Sequence, residues 1–257
     1  MKFSANLGLL WTDRSLPDAI RAAKTAGFDA VECHWPYVVP TSETVAALEE
    51  TGLTMLGLNT SRGDVAAGEN GLAALPGRGT EARAAVDAAI VYAAATGTRN
   101  IHVMAGFSEG REARDTYIAN IEYACDAAAA HGVTILIEPL NRYDAPGYFL
   151  TTTTQAADII KTVGAGNLKL MFDCYHVQLM EGDVSHRLER LMPQIGHIQI
   201  AAVPDRGAPD HGELDYRHIL GVLHDLGWDA PIGAEYKPGG DTDASLGWLD
   251  DLRAPLG

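Results

Sequence analysis

Cysteine, basic residues and long apolar runs are all scarce in this sequence. Its three cysteines, Cys33, Cys125 and Cys174, are odd in number and form no Cys-x-x-Cys pair. This argues against a disulfide framework and for a reducing, cytoplasmic setting. No stretch approaches the ~20 apolar residues of a membrane span. The apolar patch at 7–11 is too short for the core of a signal peptide, so we expect no membrane insertion.

Positive charge is the second scarcity. The 19 Lys and Arg residues are outnumbered by 34 Asp and Glu residues, which gives a net charge of −15. A surface of that sign repels phosphate backbones, so we expect no general nucleic-acid binding, and solubility explains the charge most simply. The sequence also lacks a linker and a low-complexity tract. These absences predict one domain over residues 1–257.

Short apolar runs that alternate with helical patterns make up most of the chain. The predicted strands are 2–7, 28–33, 53–59, 100–104, 133–137, 168–172, 195–198 and 231–234. The predicted helices are 15–26, 41–50, 80–96, 110–131, 151–163, 183–192, 215–226 and 241–252. Eight alternations in 257 residues predict an α/β protein, a single-domain (β/α)₈ TIM barrel. A doubly wound open sheet is disfavoured because no Gly-x-Gly-x-x-Gly follows the first strand.

The glycine-rich stretch 60–79 interrupts this alternation. Irregular segments of such length inside a compact domain are usually functional or disordered. We therefore predict that 60–79 forms a lid over the rim of the barrel.

Four of the later strands stop on a polar side chain. Glu138, Asp173, Gln199 and Glu235 follow the predicted strands five, six, seven and eight. The carboxyl ends of barrel strands form one rim, where such enzymes carry their active sites. Oxygen ligands suit hard cations better than zinc, which prefers His and Cys. The pattern predicts a site for a divalent metal ion, most simply Mg²⁺ or Mn²⁺, held by all four residues.

Other polar residues near these strand ends are candidates for binding a substrate. His176 lies three residues after Asp173 and can hydrogen-bond a substrate oxygen. Arg206 can clamp a carboxylate, and Lys237 is a similar candidate, although either could equally be a solvated surface residue. His197 shares a strand face with Gln199, so a supporting role and a core role both fit. Four further residues fit the rim but have ordinary structural explanations: Glu32, Asn59, His102 and His211.

Six dispersed segments resemble the hydroxypyruvate isomerase family, within the xylose-isomerase-like barrels. They are KFSANL at 2–7, GDVAAGE at 63–69, LIEPLN at 136–141, FDCYH at 172–176, IGHIQIA at 195–201 and GAEYKP at 233–238. The resemblance implies a metal-dependent aldose–ketose isomerase with Glu138 and Glu235 as the catalytic acid–base pair. Asp173 and Gln199 would complete the metal ligands. Related sugar epimerases generally have a histidine in place of Gln199.

This resemblance implies interconversion of hydroxypyruvate and tartronate semialdehyde through an enediolate. Three alternatives use the same barrel: isomerisation of the four-carbon 2-oxo-tetronates, 3-epimerisation of free ketoses, and non-catalytic binding of a sugar acid. An abasic-site endonuclease is disfavoured, since it needs a histidine-rich zinc cluster and a basic groove. We expect a small hydroxy-oxo acid as the partner, with no nucleic acid and no membrane. A homo-oligomer is left open.

Overall fold

A single parallel sheet organises the computed structural model, which describes residues 1–254. Its eight strands are β1 (Phe3–Asn6), β2 (Ala30–Glu32), β3 (Gly57–Asn59), β4 (Asn100–His102), β5 (Thr134–Ile137), β6 (Leu168–Asp173), β7 (Ile195–Ile200) and β8 (Ile232–Ala234). The helices of the described part are α1 (Leu16–Thr25), α2 (Thr41–Thr51), α3 (Gly79–Thr96), α4 (Gly110–Ala129), α5 (Thr153–Val163), α6 (Cys174–Met180), α7 (Val184–Leu191), α8 (Tyr216–Asp225) and α9 (Trp248–Arg253).

The sheet closes into a ring. Strands β3 to β8 pair in sequence order, and β1 pairs with both β8 and β2. The remaining gap between β2 and β3 is joined by a parallel bridge between Val31 and Met55. Across it the Leu56 amide donates to the Val31 carbonyl at 2.7 Å. The predicted single-domain (β/α)₈ barrel is therefore confirmed, with residues 255–257 outside the described part.

Local sequence signals explain where the helices begin and end. The side chains of Ser15, Thr152 and Asp215 accept hydrogen bonds from the first-turn amides of α1, α5 and α8, as N-caps do. Helix α5 ends at Gly164, whose φ of 68° lies in the left-handed region that glycine tolerates. These caps lie close to the boundaries predicted from the sequence.

Two elements differ from the prediction. Helix α6 was not predicted; it starts directly after β6 because the Asp173 carboxylate accepts from the Tyr175 amide at 2.8 Å and so caps it. The predicted last helix 241–252 is divided into a 3-10 turn at Asp243–Ser245 and the short α9. The Thr242 side chain accepts a hydrogen bond from the Trp11 amide at 2.9 Å. This contact holds the segment in a conformation other than a regular helix.

The stretch 60–79 is anchored at its base and exposed at its tip. Gly71 forms an antiparallel bridge with Ala105, and the Ala74 amide donates to the Ala105 carbonyl at 2.8 Å. Before these anchors in the chain, a 3-10 turn at Val65–Ala67 is capped by Asp64. That the stretch opens and closes as a lid stays a prediction. None of the helices in residues 1–254 has the length and apolar character needed to cross a membrane.

Candidate active site

Four buried polar side chains stand at the carboxyl ends of adjacent strands. Glu138 is 5 % exposed, Asp173 1 %, Gln199 2 % and Glu235 6 %. Asp173 and Gln199 are register partners on β6 and β7. Glu138, Asp173 and Glu235 each offer an atom within 4.8 Å of one another and of His176. The structure therefore brings together the strand-end residues that the sequence singled out.

Several atoms of this cluster lack the partners that buried polar groups normally have. Within residues 1–254, Glu138 Oε1, Asp173 Oδ2, Gln199 Oε1 and His176 Nε2 are buried without a hydrogen-bond partner. Three of the four are oxygens, two from carboxylates and one from an amide. Oxygen donors of this kind match the preference of Mg²⁺ and Mn²⁺. The residues present therefore fit a hard divalent cation.

The negative charge of the cluster also favours binding of a divalent cation. Three buried carboxylates face the single guanidinium of Arg206, which lies 2.6 Å from Glu235 and 4.0 Å from Asp173. Burial, followed by the charge of Glu235, raises the pKa of Glu138. The same two causes raise the pKa of Asp173 to about 7. A doubly charged cation would offset this excess of negative charge and keep both groups ionised.

Glu235 is held far more firmly than Glu138. Its Oε1 accepts from Asn6 Nδ2 at 2.9 Å and from His34 Nε2 at 2.8 Å, and its Oε2 accepts from Arg206. Burial opposes ionisation of Glu235, but Arg206 and His34 outweigh it and lower its pKa. The two glutamates thus have pKa values displaced in opposite directions. Such divergence is what distinguishes a proton donor from a proton acceptor in paired carboxylates.

His176 is arranged as a hydrogen-bond donor. Its Nδ1 accepts from the Asn141 amide at 3.0 Å, so a neutral ring carries its proton on Nε2. Burial, followed by the charge of Arg206, lowers the pKa of His176 to about 3, which keeps the ring neutral. Nε2 lies 3.6 Å from Asp173 Oδ2 and 4.0 Å from Glu138 Oε1. This Nε2–H is suited to a substrate oxygen rather than to a metal ion.

Arg206 and Lys237 have different positions, although both were predicted to bind substrate. The Arg206 guanidinium pairs with Glu235 and lies 3.5 Å from Asp144 Oδ2, so it belongs to the cluster. Lys237 has an exposed side chain, and its backbone amide donates to the Arg206 carbonyl at 2.7 Å. In this structure Lys237 therefore supports the Arg206 loop through its backbone, and its ammonium lies outside the cluster.

The contacts of His197 identify Glu32 as part of the buried network, although the sequence analysis had explained Glu32 as an ordinary structural residue. Its Nε2 lies 3.0 Å from Glu32 Oε2, and the same oxygen accepts from Gln199 Nε2 at 2.9 Å. Glu32 ends β2 and His102 ends β4, so both carried the same strand-end signal as the four predicted residues. His34 and Asn6, which contact Glu235, were not recognised as site residues. His34 directly follows the predicted strand 28–33, so the strand-end signal could have marked it as well.

A cavity of about 140 Å³ opens over the cluster and is lined by Glu138, His176, Arg206 and Glu235. The opposite wall includes Trp35, and Asn70 from the stretch 60–79. A larger cleft of about 430 Å³ lies elsewhere, between the loop after β7 and α9. None of the unpartnered carboxylate and amide oxygens lines that cleft. The smaller cavity is therefore the candidate active site.

Comparison with known proteins assigns the family. The chain matches the model of the xylose isomerase-like TIM barrel over residues 20–252. The chain belongs to this family. Within the family, it is 48% identical over 252 residues to a 2-oxo-tetronate isomerase from Cupriavidus necator, covering 96% of this chain and 97% of the relative.

Two further proteins are similar to this chain over nearly its full length. A hydroxypyruvate isomerase from Escherichia coli K12 is 38% identical and is covered over 100% of its length by 98% of this chain. A solved structure described as an AP endonuclease, family 2, from Brucella melitensis superposes with a TM-score of 0.94 at 39% identity, with 97% of this chain and 98% of that chain covered. The two curated relatives are isomerases of this barrel family, so the predicted enzyme class and the resemblance to hydroxypyruvate isomerases are confirmed.

Proposed function

We propose that this barrel is a divalent-metal-dependent aldose–ketose isomerase that interconverts hydroxypyruvate and tartronate semialdehyde. One observation carries the proposal: the carboxylates of Glu138 and Asp173, each with an unpartnered oxygen, lie within 4.8 Å of Glu235, and Gln199, whose amide oxygen also lacks a partner, is the register partner of Asp173. These four residues would hold Mg²⁺ or Mn²⁺. Glu235 can join them through Oε2, which accepts one hydrogen bond, from Arg206, and so has a second lone pair to offer.

The reaction moves a carbonyl between adjacent carbons. A proton must leave a carbon beside a carbonyl, which is a weak acid, and a proton must be delivered to the neighbouring carbon. The hydroxyl proton of the substrate must also pass from its oxygen to the former carbonyl oxygen. When bound, the cation supplies Lewis acidity that stabilises negative charge on the substrate oxygens. Glu138 and Glu235 act as the general acid and base on the two carbons. They come from β5 and β8, so they can approach a bound substrate from different sides.

The neighbouring side chains position the substrate. His176 donates its Nε2 proton to a substrate oxygen, and its fixed tautomer follows from the Asn141 amide at 3.0 Å. Arg206 holds an anionic oxygen of the substrate while it keeps Glu235 ionised through their 2.6 Å contact. The Lys237 ammonium would reach the carboxylate of the substrate only if the lysine side chain changed its conformation.

Isomerisation of 2-oxo-tetronate is the second candidate. It is favoured by the full-length relative of that name, which is 48% identical. The four-carbon acid needs the same proton transfers and the same metal ion. The acid–base pair of Glu138 and Glu235 argues against a barrel that only binds sugar acids, because binding alone needs no second glutamate.

Proton exchange into the substrate tests the proposal directly. The Mn²⁺-loaded protein is incubated in D₂O with hydroxypyruvate and, separately, with 2-oxo-tetronate, and ¹H NMR follows label and product. We expect deuterium in the product at the carbon that receives the proton, loss of turnover in EDTA and recovery with Mn²⁺. The preferred acid is the one with the higher kcat/KM. Full turnover after chelation contradicts the metal dependence, and no exchange with either acid contradicts the isomerase.

A further inference from the structure

We propose that Glu32 is a positioning residue that holds the amide of Gln199 with its oxygen toward the metal site and strengthens that oxygen as a ligand. The inference rests on the proposed function only through the metal site. It concerns a buried carboxylate that the isomerase chemistry itself does not use.

Every contact of the Glu32 carboxylate is with a group that can donate. Its Oε2 accepts from Gln199 Nε2 at 2.9 Å and lies 3.0 Å from His197 Nε2, while its Oε1 accepts from Ser4 Oγ at 3.0 Å. The side chain is 3 % exposed, so water does not compete for these contacts. Buried carboxylates persist where such donors satisfy them.

This arrangement decides which way the Gln199 amide faces. A glutamine amide can rotate by half a turn and exchange its oxygen and its NH₂ group. An ionised carboxylate accepts hydrogen bonds and donates none, so Glu32 selects the NH₂ group. The Gln199 oxygen is then left on the other side, where it is buried without a partner. The rotated amide would present N–H donors to a cation and repel it.

The same hydrogen bond raises the donor strength of the amide oxygen. An N–H bonded to a carboxylate shifts electron density through the amide toward its oxygen. Carboxylates behind metal-bound imidazoles act in this way on the ligand in front of them. Gln199 thereby gains part of the strength of a charged ligand. The Gln199 ligand itself adds no charge to a cluster in which Glu138, Asp173 and Glu235 already repel one another.

The neighbouring strand is shaped to leave room for this network. A Cβ at Gly233 of β8 would lie 2.2 Å from Glu32 Oε1, 2.8 Å from Gln199 Cγ and 3.0 Å from His197 Nε2. No larger residue fits there without displacing all three side chains. The network therefore packs directly on the backbone of β8, two residues before Glu235.

The test is a Mn²⁺ titration by calorimetry on metal-stripped protein. Glu32→Gln replaces the carboxylate with a group that donates as readily as it accepts, so the Gln199 amide loses its fixed orientation. We expect Mn²⁺ affinity to fall by about 10- to 100-fold. The matched control is Ser4→Ala, which removes a contact of the same carboxylate without touching Gln199 and should change the affinity by less than about threefold.

A double variant separates positioning from simple structural support. In Glu32→Gln/Gln199→Glu the metal-facing group is a carboxylate, which presents an oxygen in either orientation, and the total charge is that of the wild type. We expect Mn²⁺ affinity to recover to within a few-fold of wild type. Wild-type affinity in Glu32→Gln alone overturns the inference.

The other outcomes are equally decisive. No recovery in the double variant, with a melting temperature in EDTA as low as that of Glu32→Gln, identifies a purely structural carboxylate and also overturns the inference. The titration of the wild type tests the proposed function separately, because a wild-type protein that binds no Mn²⁺ contradicts the proposed metal dependence. If the wild type is an active isomerase and Glu32→Gln binds Mn²⁺ with wild-type affinity, the proposed function stands. Only the role of Glu32 is then overturned.

Discussion

The two glutamates of the cluster differ more in their surroundings than in their placement. Glu235 has donors on both oxygens, whereas Glu138 has one oxygen without a partner and the other 3.4 Å from His102 Nδ1. Burial lowers the pKa of His102 to about 4, so that neighbour is neutral at physiological pH. Glu138 would therefore need the proposed cation to stay ionised, while Arg206 and His34 keep Glu235 ionised.

Removing either carboxylate charge is expected to stop the reaction. Glu138→Gln and Glu235→Gln should each lower kcat by about 100- to 10,000-fold, the usual contribution of a positioned acid or base. Glu213→Gln, on an exposed residue of the loop after β7, is the matched control and should keep wild-type turnover. Steady-state kinetics and circular dichroism provide the measurement. Near-normal turnover in either variant removes that glutamate from the acid–base role.

The Asp173 carboxylate is expected to lower the stability of the metal-free protein. Because its pKa is raised to about 7 from 3.8, the folded state resists its ionisation. The penalty is absent below about pH 4, grows as the pH rises toward 7 and is complete above it. Asp173→Asn keeps the cap on α6 and removes the charge. In EDTA at pH 8 the variant should be more stable than wild type, by on the order of a few kcal/mol.

Urea denaturation at pH 8 and at pH 4 measures this difference. The gain should nearly disappear at pH 4, where the wild-type carboxyl is protonated in the folded state and only partly ionised in the unfolded state. A gain of equal size at both pH values would point to packing instead of charge. Mn²⁺ should stabilise the wild type far more than the variant, since binding to the folded state adds to its stability.

Among the elements, the stretch 60–79 joins the barrel to one wall of the cavity. Asn70 lines the cavity, and the Arg62 guanidinium lies 3.8 Å over the ring of Trp35, another lining residue. The base of the stretch is held by a close backbone approach of Gly71 to Gly106. A Cβ at Gly71 would lie 2.6 Å from the Met104 carbonyl oxygen.

Substitution of Gly71 should therefore detach this element. Gly71→Ala combines a φ of +119° with the backbone clash, whereas Gly68→Ala, in the same stretch, has a φ of +83° and open space around its Cβ. We expect Gly68→Ala to cost roughly 1 kcal/mol and Gly71→Ala at least 2 kcal/mol more. Urea denaturation measures both, and equal costs would show that the close approach does not anchor the stretch.

At the level of the whole molecule, charge sets the range of partners. The net charge of −15 opposes approach to any polyanion, although one protein of matching fold is described as an AP endonuclease. The unpartnered oxygens of this cluster come from carboxylates and an amide, and the histidines beside them, His34, His102 and His176, each face a carboxylate. The cytoplasmic setting and the oligomeric state remain predictions from the sequence.

Binding to damaged DNA is expected to fail. A labelled duplex with one abasic site should show no anisotropy change at micromolar protein in about 150 mM salt, where ordinary DNA-binding proteins begin to bind non-specifically. Lowering the salt should not induce binding, because it strengthens the repulsion. A basic DNA-binding protein serves as the positive control. Incision of the abasic strand would contradict the assignment of the site to sugar-acid chemistry.

The sequence by itself determined the architecture and the centre of the site. Strand periodicity and helix caps act over a few residues, so they are legible without the fold. Glu138, Asp173, Gln199 and Glu235 were also predictable, because a polar residue that ends an apolar run must face the rim of a parallel barrel.

Only the tertiary structure decided how those four side chains are supported. The contacts of Glu32 with Gln199 and of His34 with Glu235 join residues separated by 167 and 201 positions. No local pattern encodes such contacts, because they arise when the sheet closes and places β1 between β2 and β8. The split final helix has the same origin, since the hydrogen bond from Trp11 to Thr242 joins residues 231 positions apart. Helix α6, by contrast, begins at a local cap on Asp173 that the sequence analysis did not recognise.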